Sequence, residues 1–144
     1  MQLIDIDPAS PEYGQRKLVS LYWRESAGVY WQADTLAFQP TLGFPLLAKT
    51  RYAFVVTDAV RNADGGPVLA SPDLQEVLGI TAATERTAQA RQVFTSAIAE
   101  VEKAGVERNK IVHFTTFTTA DPTSELFEVA DDVLKSVPAP TVDP

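Results

Sequence analysis

Apolar and polar positions alternate through several short stretches of the chain, and β-branched or aromatic residues are concentrated in the same places. The alternation predicts strands at Gln2 to Ile6, Lys17 to Trp23, Thr35 to Gln39, Arg51 to Thr57 and Ile111 to Thr118. Most of them fall in the first half. The run from Phe44 to Leu69 reads as a hairpin, because Asn62-Ala63-Asp64-Gly65-Gly66 supplies the residues that accept positive φ in a tight turn. Val68 to Ala70 is then a short returning strand. The prolines and glycine of Asp7-Pro8-Ala9-Ser10-Pro11-Glu12-Tyr13-Gly14 fix a loop after the first strand, since proline removes amide donors and presets φ.

The period then changes from strand-like to helical. Ser71-Pro72-Asp73 is a helix start with serine as N-cap, and Gly79 suits the stop, so Pro72 to Leu78 is a short helix. From Glu85 to Ala104 a longer helix carries Ala90, Val93, Phe94, Ala97, Ile98, Val101 and Ala104 on one stripe, with Thr84 to cap it and Gly105 to end it. That stripe is core. A last helix follows Asp121-Pro122-Thr123, and Leu126, Val129, Ala130, Val133 and Leu134 give it one apolar face.

The expected fold is α+β: an antiparallel or mixed sheet with a long amphipathic helix inserted before its last main strand and a C-terminal helix after it. Residues 1–137 form one domain, and 138–144 a proline-rich linker or tail.

Composition narrows the function classes. At 144 residues and 45% hydrophobic the chain is long enough and apolar enough for one domain with a real core. A formal charge of -7 without a basic cluster argues against nucleic acid as a partner. Cysteine is absent, which excludes disulfides and thiolate metal sites. No apolar run approaches the ~20 residues of a membrane-spanning helix, and the N-terminus lacks the basic and apolar regions of a signal peptide.

Catalytic patterns are equally sparse. No Gly-x-Ser-x-Gly, Gly-x-Gly-x-x-Gly, P-loop or His-Glu-x-x-His occurs, so no catalytic residue, cofactor or metal ligand is assigned. His113 is the single histidine; a small hydrolase would have to use it with Asp or Glu partners, and the simpler reading is a half-buried side chain on a strand. Asp58, Asn62 and Asp64 loosely follow calcium-loop spacing and are explained by turn chemistry, while Asp5, Asp7 and Glu12 read as a solvated loop. Tyr22, Trp23, Tyr30 and Trp31 are an aromatic concentration fit either for core packing or for a sugar-stacking or docking surface. Alternation sends Tyr22 and Trp23 to opposite faces.

Three segments carry a resemblance. Leu36-Ala37-Phe38-Gln39-Pro40 with Phe44-Pro45-Leu46, Thr50 to Asp58 with the Asp64-Gly65 turn, and Ala104 to Val112 running into Phe117-Thr118-Thr119 are, in that order, similar to the immunoglobulin-like N-terminal domain of large bacterial lipase-like (α/β-hydrolase) proteins. The resemblance covers roughly residues 33–119. It implies a noncatalytic accessory or scaffold domain, attached in cis to a lipase or esterase domain and extracellular or in the cell envelope. It also implies further strands upstream of this segment. The alternative function is a carbohydrate- or surface-binding module built on Tyr22, Trp23, Tyr30 and Trp31.

Overall fold

The computed structural model describes residues 1–138, so the tail expected over 138–144 lies, apart from Pro138, outside the described residues. The strands are β1 (Gln2–Asp5), β2 (Arg16–Lys17), β3 (Val19–Arg24), β4 (Thr35–Pro40), β5 (Arg51–Thr57) and β6 (Ile111–Thr118). The helices are α1 (Pro72–Leu78), α2 (Glu85–Lys103) and α3 (Ser124–Ser136), with a single 3₁₀ turn at Arg108–Lys110. Two antiparallel sheets result, one ordered β2-β1-β5-β6 and the other the β3-β4 hairpin.

Strand β5 sits in the middle of the larger sheet and is buried on both faces, which is why it reads Tyr-Ala-Phe-Val-Val without a polar position. Ala53 and Val55 point to one side, where they meet Ile4, Ile6, Ala97, Ile98 and Val101 under helices α1 and α2. Tyr52, Phe54 and Val56 point to the other, where Val19, Phe38 and Leu46 cover them. The order of layers is therefore helices, main sheet, hairpin.

Aromatic contacts tie the layers together. Phe38 of the hairpin lies flat on Phe54 with ring centroids 3.6 Å apart and planes 3° from parallel. Phe94 of α2 meets Phe114 of β6 edge-on at 5.7 Å. Tyr52 is fully buried, and its hydroxyl accepts the Leu47 amide at 3.0 Å; burial pushes the phenol's pKa upward.

The helix signals act as their chemistry requires. Ser71 Oγ accepts the Leu74 amide at 3.2 Å, Pro72 opens α1, and Gly79 ends it with φ +77°. Glu76 then links α1 to α2: its carboxylate accepts from the Thr84 amide at 2.9 Å and from the hydroxyls of Thr84 and Thr87 at 2.8 and 2.5 Å. The Thr87 hydroxyl, then the two Thr84 donors, hold the Glu76 carboxyl below its usual pKa.

Several expectations are corrected. The turn at Asn62 to Gly66 forms, with Gly65 at φ +78°, but it does not return a strand over Val68 to Ala70. A single bridge, Arg61 to Pro67, follows the turn; Pro67 has no amide hydrogen, and β5 already has β1 and β6 as its two ladder partners. The strand expected over Lys17 to Trp23 is two strands, because the chain changes sheets at Leu18. On α2 the stripe joins the core from Phe94 to Ala104, whereas Ala90 is half-buried outside it and Val93 is 58% exposed.

Asp5 departs furthest from a solvated loop. It is fully buried, accepting the Asp7 amide at 3.0 Å and the Ser10 hydroxyl at 2.6 Å. Glu12 pairs with Lys17, and Asp7 accepts the amides of Ala9 and Arg51. These acids hold the proline-rich loop in shape.

Replacing Phe54 by alanine removes a side chain touched by the hairpin layer and is expected to cost about 3–5 kcal/mol. Phe38→Ala, at a half-buried position, costs about 1–2 kcal/mol and undocks the hairpin. Urea unfolding measures both costs, and amide exchange localises the second to β3 and β4; equal costs would contradict the layered arrangement.

Candidate functional site

The exposed apolar and aromatic groups are concentrated on the β3-β4 hairpin, its tip and α3. Register pairs Leu21 with Phe38 and Trp23 with Leu36 on the hairpin face that looks toward the main sheet; Tyr22 with Ala37 and Arg24 with Thr35 occupy the opposite face. The expected separation of Tyr22 and Trp23 is what the structure has.

Only the base of the hairpin's inner face is covered. Val19 and Phe38 pack on the core, whereas Leu21, Trp23 and Leu36, further out, remain 46%, 59% and 37% exposed. The overhang leaves an apolar groove of ≈ 650 Å³ between Trp23 and Leu36 on one side and Met1, Val60 and Val68 on the other. Its polar rim is Asp34, Arg61 and Asn62.

The outer face carries a different site. Trp31, from the loop joining β3 and β4, folds over it beside Arg24, whose guanidinium carbon is 5.2 Å from the indole centroid. Gly28 backs the same indole so closely that a Cβ there would overlap it, and the Gly28 amide donates to the Trp31 carbonyl at 2.9 Å. Tyr22 lines the same cleft; its hydroxyl accepts from Gln39 Nε2 at 3.0 Å. The cleft that these residues line measures ≈ 370 Å³.

The four aromatics singled out from the sequence therefore divide three ways. Tyr22 and Trp31 share the outer cleft, Trp23 lines the inner groove, and Tyr30 stands 90% exposed at the hairpin tip. Arg24, Thr35, Ala37 and Gln39 were not marked by sequence. The signal that finds them is cross-strand register: once residues 25–34 are taken as the loop of a hairpin, positions 22 and 24 face 37 and 35.

Helix α3 is the second surface. Leu126, Ala130, Val133, Leu134 and Val137 make one continuous apolar stripe, flanked by Phe127 and Val129, and Glu125, Glu128, Asp131, Asp132 and Lys135 fall opposite. None of its residues is buried, and Phe127 and Leu134 are 67% and 81% exposed. Its start is fixed by Asp121, which accepts the Ser124 amide at 3.1 Å and the Lys49 ammonium at 2.9 Å.

The histidine is not half-buried as expected. His113 is an exposed residue of β6. Among the described residues no three His, Asp or Glu side chains gather in the geometry of a metal site. Asn62 is committed to its turn, accepting the Gly66 amide at 2.6 Å. No helix of the described residues is long and apolar enough to cross a membrane.

Asp121 provides a pH prediction. The Lys49 ammonium first, then the amides of Thr123 and Ser124, lower its pKa from 3.8 to about 2. A depressed carboxyl pKa stabilises the folded form above the unfolded value, so the anchoring of α3 is complete above about pH 4 and is lost as pH falls through about 2. Carboxyl NMR should place the Asp121 midpoint near 2, and Lys49→Gln should move it back toward 3.8; an unmoved midpoint would contradict the assignment.

No protein-family model matches the chain, and neither do curated proteins or solved structures.

Proposed function

We propose that this chain is a noncatalytic accessory domain that docks, through α3 and the inner groove of the hairpin, onto a hydrolase domain of the same polypeptide. The observation that carries the reading is α3: an amphipathic helix none of whose residues is buried among the described residues, its apolar stripe included. A surface of this kind is stable in water when a partner covers it, and contiguous apolar patches on soluble domains mark interaction sites. The groove under Trp23 and Leu36 is a second place where the domain's own core leaves apolar surface uncovered.

The partner's identity comes from the resemblance of residues 33–119 to the immunoglobulin-like N-terminal domain of bacterial lipase-like proteins. In this reading the hairpin and the main sheet are an abbreviated immunoglobulin-like pair of sheets, packed through Phe38 and Phe54. The helices take the other face of the main sheet. Catalysis belongs to the neighbouring domain, and the protein works outside the cytoplasm or in the cell envelope.

The reading frame around this segment is expected to encode, downstream, a Gly-x-Ser-x-Gly elbow followed by Asp and His. In that full-length protein, replacing Leu126, Val133 and Leu134 together by aspartate should lower the unfolding midpoint of the hydrolase domain by at least about 4 °C. A frame without a hydrolase domain overturns the proposal. So does a full-length variant that unfolds at the parent's temperature.

A further inference from the structure

The outer face of the hairpin has chemistry that docking does not use, and we infer that it is a binding site for an acidic saccharide, a sugar chain whose rings carry carboxylates. Trp31 and Tyr22 both line the cleft, and Ala37, the cross-strand partner of Tyr22, lines it with a side chain too short to fill it. Aromatic rings offer a sugar ring the flat apolar surface against which its C–H groups pack. The ≈ 370 Å³ cleft is within the range of small-ligand sites.

The polar groups around the cleft are both donors and acceptors. Tyr22 accepts from Gln39 through its oxygen, which leaves the phenolic hydrogen to donate outward, and Gln39 keeps its side-chain carbonyl as an acceptor. Thr35 adds a hydroxyl whose hydrogen goes to the Gln32 carbonyl at 2.7 Å, which leaves its oxygen to accept. Sugar hydroxyls need this mixture.

Arg24 specifies the carboxylate. It is the one charged side chain lining the cleft, in a chain of net charge -7. Among the described residues it forms no ion pair and no side-chain hydrogen bond, although seven other cation–carboxylate pairs are made. The guanidinium lies over the Trp31 ring at cation–π distance, while its N–H groups stay free for a bidentate carboxylate. Gly28 holds Trp31 in turn, because any larger residue would displace the indole. Asp34, the last residue of the loop, lines the groove on the other face.

The chain has two tryptophans, so a Trp23→Phe background leaves Trp31 as the sole indole reporter. Titration with trigalacturonate should give a saturable change in Trp31 fluorescence in the millimolar range or tighter. Maltotriose, a neutral trisaccharide with the same α-1,4 linkage, should bind at least about tenfold more weakly. Arg24→Gln should remove that preference, and Ala37→Leu, which fills the cleft, should abolish binding; far-UV circular dichroism checks that both variants fold. No saturable response to trigalacturonate overturns the inference, as does equal binding of maltotriose. An equal response to triglutamate peptide would reassign the cleft to carboxylates in general and overturn the saccharide reading. These results are independent of whether α3 docks on a hydrolase.

Discussion

Everything else in this molecule depends on one strand that is buried on both sides. Strand β5 supplies Ala53 and Val55 to a core beneath the helices and Tyr52 and Phe54 to a second core beneath the hairpin. A strand with two buried faces has to be central, because an edge position would leave part of its backbone unpaired next to apolar side chains. Pairing with β1 and β6 satisfies that requirement. The helices and the hairpin are then the two covers that the sheet needs.

The covers are unequal, and the inequality leaves apolar surface open. Helices α1 and α2 bury their apolar residues well enough that Leu78, Ala97, Ile98 and Val101 are all essentially closed to solvent. The hairpin is held chiefly by Val19 and the Phe38–Phe54 stack at its base, and it runs past the sheet it covers. Its outer half therefore offers two distinct surfaces, apolar toward the groove and mixed aromatic and polar on the outside. Helix α3 adds a third surface, with no buried residue of its own and a start fixed by the Asp121–Lys49 pair.

Local chemistry was legible in the sequence. The bounds of β5 and β6, the cap and proline of α1, the glycine stops and the long period of α2 are all set by residues within a few positions of one another. Choices made over distance were not. Whether β5 takes its neighbour from Val68 to Ala70 or from β1 and β6 depends on competition among ladders, which alternation does not rank. Asp5 reads as solvated because Asp usually is, and its burial rests on a hydroxyl five residues away. The outer cleft needed the register of a hairpin whose loop is ten residues, 25–34. An amphipathic pattern likewise shows that α3 has an apolar face without showing what lies against it.

On the proposed reading, α3 and the inner face of the hairpin are interfaces left open by a domain whose core is otherwise closed. Hydrogen exchange on the isolated chain and on the full-length protein tests this directly. Amides of β5 should be equally protected in both, while those of α3 and the outer hairpin should exchange rapidly in the isolated chain and slow strongly in the full-length protein. Identical exchange of α3 in the two would contradict the account.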